Sequence, residues 1–218
     1  MENRIDSTLQ ALKLAGKTAL VPYVTMGFPD IETSEALAKA VIDSGADMLE
    51  LGIPFSDPLA DGLTIQKTSF HALKQGMNIS TSLKMLQHLR DNGVQTPLIF
   101  MGYFNPFLSY GLEKFVEEAA KKGLDGIIVP DLPMEESGPL KELCKASNIH
   151  LIPLLAPTST DHRIAQACEQ ASGFIYFVSV TGVTGARQQL ASDLPEMVGR
   201  IRSHTDLPVI VGFGVSRP

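Results

Sequence analysis

The stretch Val41-Ile42-Asp43-Ser44-Gly45-Ala46-Asp47-Met48-Leu49-Glu50-Leu51-Gly52 decides the fold, because one periodicity ends in it and another begins. From Ile31 to Asp43, apolar Ala36, Leu37, Ala40 and Val41 recur three and four residues apart, which places one apolar stripe along a helix. Ser44-Gly45-Ala46-Asp47 then supplies a glycine stop and a turn. Met48 to Gly52 follows as a short run that is apolar on both alternating sets except at Glu50, the pattern of a strand buried on both faces in a parallel sheet.

The same helix, turn and strand succession extends in both directions. Further apolar runs fall at Ala19 to Thr25, Leu98 to Tyr103, Gly126 to Asp131, His150 to Leu154, Phe174 to Ser179 and Pro208 to Gly212, which with Met48 to Gly52 makes seven. Asp91-Asn92-Gly93 and Lys122-Gly123-Leu124-Asp125 repeat the turn signal before two of them. Helices are expected near Thr64 to Lys74, Leu112 to Lys122, Glu135 to Ser147, Thr160 to Ala171 and Asp193 to Ser203, with Pro133 and Pro195 close to helix starts. No Pro, Gly and Ser linker and no charge block interrupts the series, so residues 1–218 are expected to form one domain. An alternating chain of this kind either closes as a (β/α)8 barrel or stays open as a doubly wound sheet, and periodicity does not choose. The first run leads into Thr25-Met26-Gly27-Phe28-Pro29 without a GxGxxG or P-loop, which weighs against the dinucleotide-binding form.

Composition narrows the function classes. At 218 residues, 44% apolar and 19% charged, the chain is long and apolar enough for a sizeable core. A net charge of −6 argues against a nucleic-acid binder, which needs a basic face. Cys144 and Cys168 sit apart inside expected helices, with no CxxC or Cys/His cluster to suggest a disulfide framework or a zinc site, and a reducing cytoplasm fits them. The longest apolar runs, such as Leu151 to Ala156, fall far short of the ~20 residues of a membrane span, and no basic-then-apolar leader opens the chain.

In alternating βα folds the ligand sits at the carboxyl ends of the strands. The polar residues expected there are Tyr23, Thr25, Glu50, Asp57, Asp61, Tyr103, Asn105, Asp131, Tyr176, Ser179 and Thr181. Every lysine falls in a helix or its flank; His71, His88, His162 and His204 are read on helices, and His150 opens a strand. That leaves neither a Schiff-base lysine nor a His and carboxylate metal set, and points to acid/base chemistry by carboxylates with tyrosine support. Glu50 is the sharpest candidate, because burial in an apolar strand would raise its pKa into the range where one group both gives and takes a proton. Its structural alternative is a carboxylate that caps a neighbouring strand. Asp61 follows the stiff loop Gly52-Ile53-Pro54-Phe55-Ser56-Asp57-Pro58 and is read either as catalytic or as a turn and helix-cap carboxylate. Thr181 to Arg187 and Gly212 to Ser216 carry glycines that suit an anion cradle, the first also being long enough for a lid. Tyr103 and Tyr176 equally fit a barrel core with satisfied hydroxyls.

The run Leu49-Glu50-Leu51-Gly52-Ile53-Pro54-Phe55-Ser56-Asp57-Pro58-Leu59-Ala60-Asp61-Gly62 resembles the signature of the tryptophan synthase alpha subunit family. Pro22 to Pro29, Met101-Gly102-Tyr103, Val129-Pro130-Asp131-Leu132-Pro133, Gly182-Val183-Thr184-Gly185 and Gly212-Phe213-Gly214-Val215-Ser216 extend the resemblance along the whole chain. It implies a (β/α)8 barrel that cleaves indole-3-glycerol phosphate to indole and glyceraldehyde 3-phosphate without a cofactor or metal. It further implies a beta subunit that takes up the indole, in an α2β2 heterotetramer. By position, Glu50 would be the acid/base, Asp61 would hold the indole N–H, and Tyr176 would support the site. Thr184 would meet Asp61. The indole pocket would lie near Tyr23, Phe100, Tyr103, Ile128 and Phe213, and Gly185 and Gly214 would donate N–H groups to the phosphate. Pro130 stands where some members carry a small residue, which would reshape the pocket wall.

The family pattern continues beyond Pro218 with an eighth strand and a phosphate-binding turn, so the sequence reads as a barrel cut after its seventh strand. Weak phosphate binding and little turnover are expected of the chain as it stands. Two other readings compete: a non-catalytic barrel that serves as binding partner or activator of a beta subunit, and a sugar-phosphate isomerase or epimerase. Retention of both Glu50 and Asp61 weighs against the first, and the missing His or metal ligands against the second.

Overall fold

The computed structural model describes residues 2–178 and 194–212. Its strands are β1 (Tyr23–Thr25), β2 (Leu49–Gly52), β3 (Leu98–Met101), β4 (Gly126–Ile128), β5 (His150–Ile152), β6 (Leu154–Leu155), β7 (Ile175–Val178) and β8 (Val209–Gly212). Every ladder is parallel, in the order β1-β2-β3-β4-β5 and then β6-β7-β8. Pro153 separates β5 from β6, since it has no N–H to give to a ladder, while its carbonyl accepts from the Tyr176 N–H at 3.0 Å. The fifth apolar run is therefore one strand position in two pieces. A strand order that follows the chain without reversal belongs to the (β/α)8 barrel and not to the doubly wound sheet, whose order turns back on itself.

Around the strands lie α1 (Arg4–Leu14), α2 (Ile31–Asp43), α3 (Leu63–Lys74), α4 (Ile79–Asp91), α5 (Phe104–Tyr110), α6 (Leu112–Lys121), α7 (Gly138–Ala146), α8 (Asp161–Gln170) and α9 (Leu194–Arg202). Side-chain caps start several of them, such as Asp30 accepting from the Thr33 N–H at 2.8 Å on α2 and Asn78 from the Thr81 N–H at 3.1 Å on α4. Gly45, past the end of α2, has φ of 105°, which lets the chain turn back toward β2. The expected helix from Glu135 to Ser147 is instead a 3-10 turn, Met134–Glu136, followed by α7 with Pro139 in its first turn. His204 stands in the turn after α9, not on the helix. Helices α1 and α5 were not expected, and α4, the helix on which His88 was read, had been given no bounds.

Strand alternation divides the core into two layers. Leu49, Leu51, Leu98, Phe100 and Ile127 face the helices, packed with residues such as Leu83, Phe107 and Phe115. Ile99, Met101, Ile128, Ile152 and Tyr176 face the barrel interior. Helix α1 closes that interior at the amino ends of the strands. Its Ile5 side chain comes within 2.9 Å of where a Cβ on Gly126 would sit, so the glycine is what admits the plug. Polar contacts fasten it: Asn3 donates to the Asp125 and Asn148 carbonyls at 2.9 and 2.8 Å, and Asp6 meets His150 at 2.9 Å. Asp125, 3% exposed, receives Arg90 at 2.5 Å, Arg4 at 2.9 Å and the Leu98 N–H at 2.8 Å. With one end of the barrel plugged, the carboxyl ends of the strands are the face left for chemistry. Among the described residues, no helix is long and apolar enough to cross a membrane.

Candidate active site

Glu50 stands at the middle of β2 with its side chain directed inward. Register pairs it with Tyr23 on β1 and Ile99 on β3, and in-register neighbours of a parallel sheet share a face. It is 3% exposed. No hydrogen bond or ion pair with a described residue offsets that burial, which pushes its carboxyl up to about 8. The strand-capping alternative for Glu50 thus has no partner among the described residues. Its charge is felt by the Tyr23 and Tyr176 hydroxyls, whose pKa values are held well above the ordinary tyrosine value chiefly by burial. Both phenols stay protonated at neutral pH.

Asp61 closes the stiff loop between β2 and α3. Its Oδ2 accepts from the Tyr103 hydroxyl at 3.1 Å, and the Tyr103 oxygen in turn accepts from the Ala60 N–H at 2.9 Å. Phe55 packs against the Tyr103 ring at 5.4 Å between centroids. Burial raises the Asp61 pKa and the Tyr103 hydrogen bond holds part of that rise back. Gly62, not Asp61, is the cap residue of α3, so the carboxylate is not spent on the helix. Two carboxyls thus face the same barrel end in different settings, one dry and uncompensated, the other half-buried and hydrogen-bonded, an arrangement that assigns them different proton affinities.

The remaining expected residues sort by strand phase. Tyr23, Ile128 and Tyr176 lie with the interior layer, and Tyr103 at the end of β3 reaches Asp61. Phe100 does not join them: it is fully buried on the helix side, its ring 6.5 Å from that of Phe115. Its neighbour Met101 takes the inward place, in register with Gly52 and Ile128. All four residues of Leu98–Met101 are apolar, so alternation alone supplied no phase; pairing with β2 supplies it. Asp131 accepts from the Phe104 N–H at 2.9 Å and fixes the start of α5, a structural use. Asp57 is exposed and bonded to Ser56. Thr184, Gly185, Phe213 and Gly214, together with Ser179, Thr181 and the two expected anion cradles past Gly212 and around Gly182, lie outside the described residues.

An open cleft of about 810 Å³ occupies the same barrel end, between the loops after β4 and β6, with Leu132, Met134, Leu155 and Val178 among its walls. It shares Leu59 and Ala60 with the Asp61 loop. Among the described residues, no group of His, Cys, Asp and Glu side chains is placed to hold a metal ion.

Comparison with known proteins places this geometry in a family. A family model described as tryptophan synthase alpha chain matches residues 9–218. The tryptophan synthase alpha chain of Chloroflexus aggregans is 49% identical over 216 residues, which is 99% of this chain and 81% of the relative. A solved protein of Aquifex aeolicus superposes with a TM-score of 0.91 at 44% identity, covering 99% of this chain and 82% of that one. The alpha subunit of tryptophan synthase from Legionella pneumophila superposes at 0.88 and 37% identity, with 99% and 79% covered. The chain belongs to the tryptophan synthase alpha chain family.

Proposed function

We propose that Glu50 is the proton-transfer group and Asp61 the charge-balancing group of this chain's reaction, the cleavage of indole-3-glycerol phosphate to indole and glyceraldehyde 3-phosphate in tryptophan biosynthesis. The observation that carries this reading is the Glu50 carboxyl, 3% exposed and uncompensated by any described residue, beside two protonated tyrosines. A carboxyl poised near neutral pH gives a proton to indole C3, and the ring nitrogen becomes cationic. The Asp61 carboxylate, oriented by Tyr103, accepts the ring N–H and balances that charge. Glu50, now ionised, takes the proton of the hydroxyl on the carbon attached to C3. The bond from that carbon to C3 breaks, its electron pair returns to the ring, and the hydroxyl carbon becomes the aldehyde. One proton is given and one regained, so Glu50 ends as it began.

Met101 and Ile128 form apolar wall for the ring. Thr184 is assigned to meet Asp61, Phe213 to the ring, and the Gly185 and Gly214 N–H groups to the phosphate, on family resemblance. Residues 1–218 act as one barrel unit, working in the cytoplasm, a reading supported by two free buried cysteines. The enzyme acts with a beta subunit. The loop after β2 and helix α5 are assigned to that contact on the exposure of Leu59 (87%) and Leu108 (53%). The test is indole release from indole-3-glycerol phosphate with the beta subunit added. Glu50→Gln is expected to abolish it, and an active Glu50→Gln variant overturns the assignment.

A further inference from the structure

We propose that Gln66 is a positioning residue for Asp61: its side-chain amide, reaching back from the first turn of α3, clamps the Asp61 carbonyl and so fixes the angle at which the carboxylate meets the indole N–H. This rests on the assignment of Asp61 above and adds to it what holds that carboxylate in place.

The placement comes from the hydrogen bonds of the loop itself. After Pro58 the chain turns tightly: the Leu59 N–H donates to the Asp57 carbonyl at 2.9 Å, the Ala60 N–H to the Tyr103 hydroxyl at 2.9 Å and the Asp61 N–H to the Pro58 carbonyl at 3.0 Å. These bonds fix the chain as it enters Asp61. As it leaves, Gly62 begins α3 as a cap residue without a side chain to offer the first turn, and its missing Cβ leaves the peptide between 61 and 62 free to rotate. Gln66 closes that freedom. Its backbone N–H donates to the Gly62 carbonyl at 2.9 Å and its Nε2 to the Asp61 carbonyl at 2.8 Å, so one residue holds two successive carbonyls. A carbonyl only accepts, which identifies the amide nitrogen as the atom that faces it.

The clamp is anchored on the strand beside Glu50. Further along α3, the Thr68 hydroxyl lies 2.9 Å from that of Thr25 at the end of β1, and β1 is the register neighbour of β2, which carries Glu50. Asp61 is thus located against the Glu50 strand through α3 and β1, and not only through its own irregular loop. Tyr103 holds the carboxylate itself, at 3.1 Å from Oδ2. The side chain and the main chain of Asp61 are each held by a different element, Tyr103 from the end of β3 and Gln66 from α3.

Loss of the Nε2 donor frees the peptide plane between 61 and 62 while the helix keeps its own ladder, since the Gln66 backbone bond to Gly62 remains. The carboxylate then swings over a wider arc about Tyr103. Charge on the indole nitrogen develops only as C3 is protonated, so an ill-held counter-charge weakens the transition state more than the bound substrate. The effect therefore falls on kcat and not on KM.

The test is indole release by the chain with its beta subunit, at a pH on the plateau of activity, for wild type, Gln66→Met and Gln66→Lys. Methionine keeps the length and bulk of glutamine and removes the donor; lysine keeps a donor on a flexible stem. Gln66→Met is expected to lower kcat about three- to tenfold, the size of one neutral hydrogen bond, with KM changed less than about twofold and the thermal midpoint within about 2 °C of wild type. Gln66→Lys is expected to regain most of that loss. A Gln66→Met variant at wild-type kcat overturns the proposal. So does a loss that Gln66→Lys does not restore, or one that comes with a lowered thermal midpoint, either of which assigns Gln66 to packing. The Asp61 assignment fails separately, through an Asp61→Ala variant that keeps wild-type kcat.

Discussion

Replacing Tyr103 with Phe removes one oxygen from the site and leaves the ring against Phe55. That oxygen donates to Asp61 Oδ2 at 3.1 Å and accepts from the Ala60 N–H at 2.9 Å, so its loss acts on the Asp61 carboxylate and on the loop that carries it. A hydrogen bond to an ionised group contributes about 1.5–3 kcal/mol, and the partial exposure of Asp61 places this one near the lower figure. About 1.5 kcal/mol favouring the ionised form corresponds to roughly one pKa unit at 1.36 kcal/mol per unit. The Asp61 pKa, already raised by burial and held back by this bond, rises further when the bond is gone. The sign follows directly. The ionised form balances the indole N–H charge, activity fails as pH falls through the Asp61 pKa, and a higher pKa moves that failure to higher pH. The acidic limb of kcat for indole release is therefore expected to move up by about one pH unit in Tyr103→Phe, with most of the plateau retained. A limb that stays in place, or moves to lower pH, refutes the reasoning.

Two further predictions concern the scaffold. Asp125→Ala leaves the Arg90 guanidinium, whose side chain is 9% exposed, without its carboxylate, a loss of about 3–5 kcal/mol that lowers the thermal midpoint by roughly 10 °C. Because the cluster lies at the plugged end, kcat measured well below that midpoint is expected to hold, and a shift under about 2 °C would contradict the role given to it. Phe100→Leu is expected to lower stability by about 1 kcal/mol without changing KM, whereas Met101→Ala raises KM for indole-3-glycerol phosphate. The opposite pattern in steady-state kinetics would show that the facing of β3 is misassigned.

Much of this could be read from residue order, for identifiable reasons. Glu50 stood out as the one charge in an otherwise apolar strand, and Asp61 as a carboxylate at the end of a loop stiffened by Pro54 and Pro58. Both sit at the barrel end where chemistry was expected. Helix α1 was missed because its two buried anchors, Ile5 and Leu9, are a single i, i+4 pair in a mostly polar segment, and what fixes it is long-range: Asn3 to Asn148, Asp6 to His150. Helix α4, on which His88 was read, was left without bounds because it follows α3 with only Gln75 to Asn78 between them. Phe100 was placed in the pocket by the family resemblance, and a strand buried on both faces offers no polar alternation against which that placement could be checked.

The most direct test of the account is the ionisation of Glu50 itself, read from the infrared carbonyl band of its protonated carboxyl in the difference spectrum between wild type and Glu50→Gln across a pH titration. The account predicts a protonated carboxyl at neutral pH that titrates near 8, with indole release failing over the same range as the proton donor is lost. A carboxyl already ionised at pH 6, near the ordinary glutamate value of about 4.3, would contradict it.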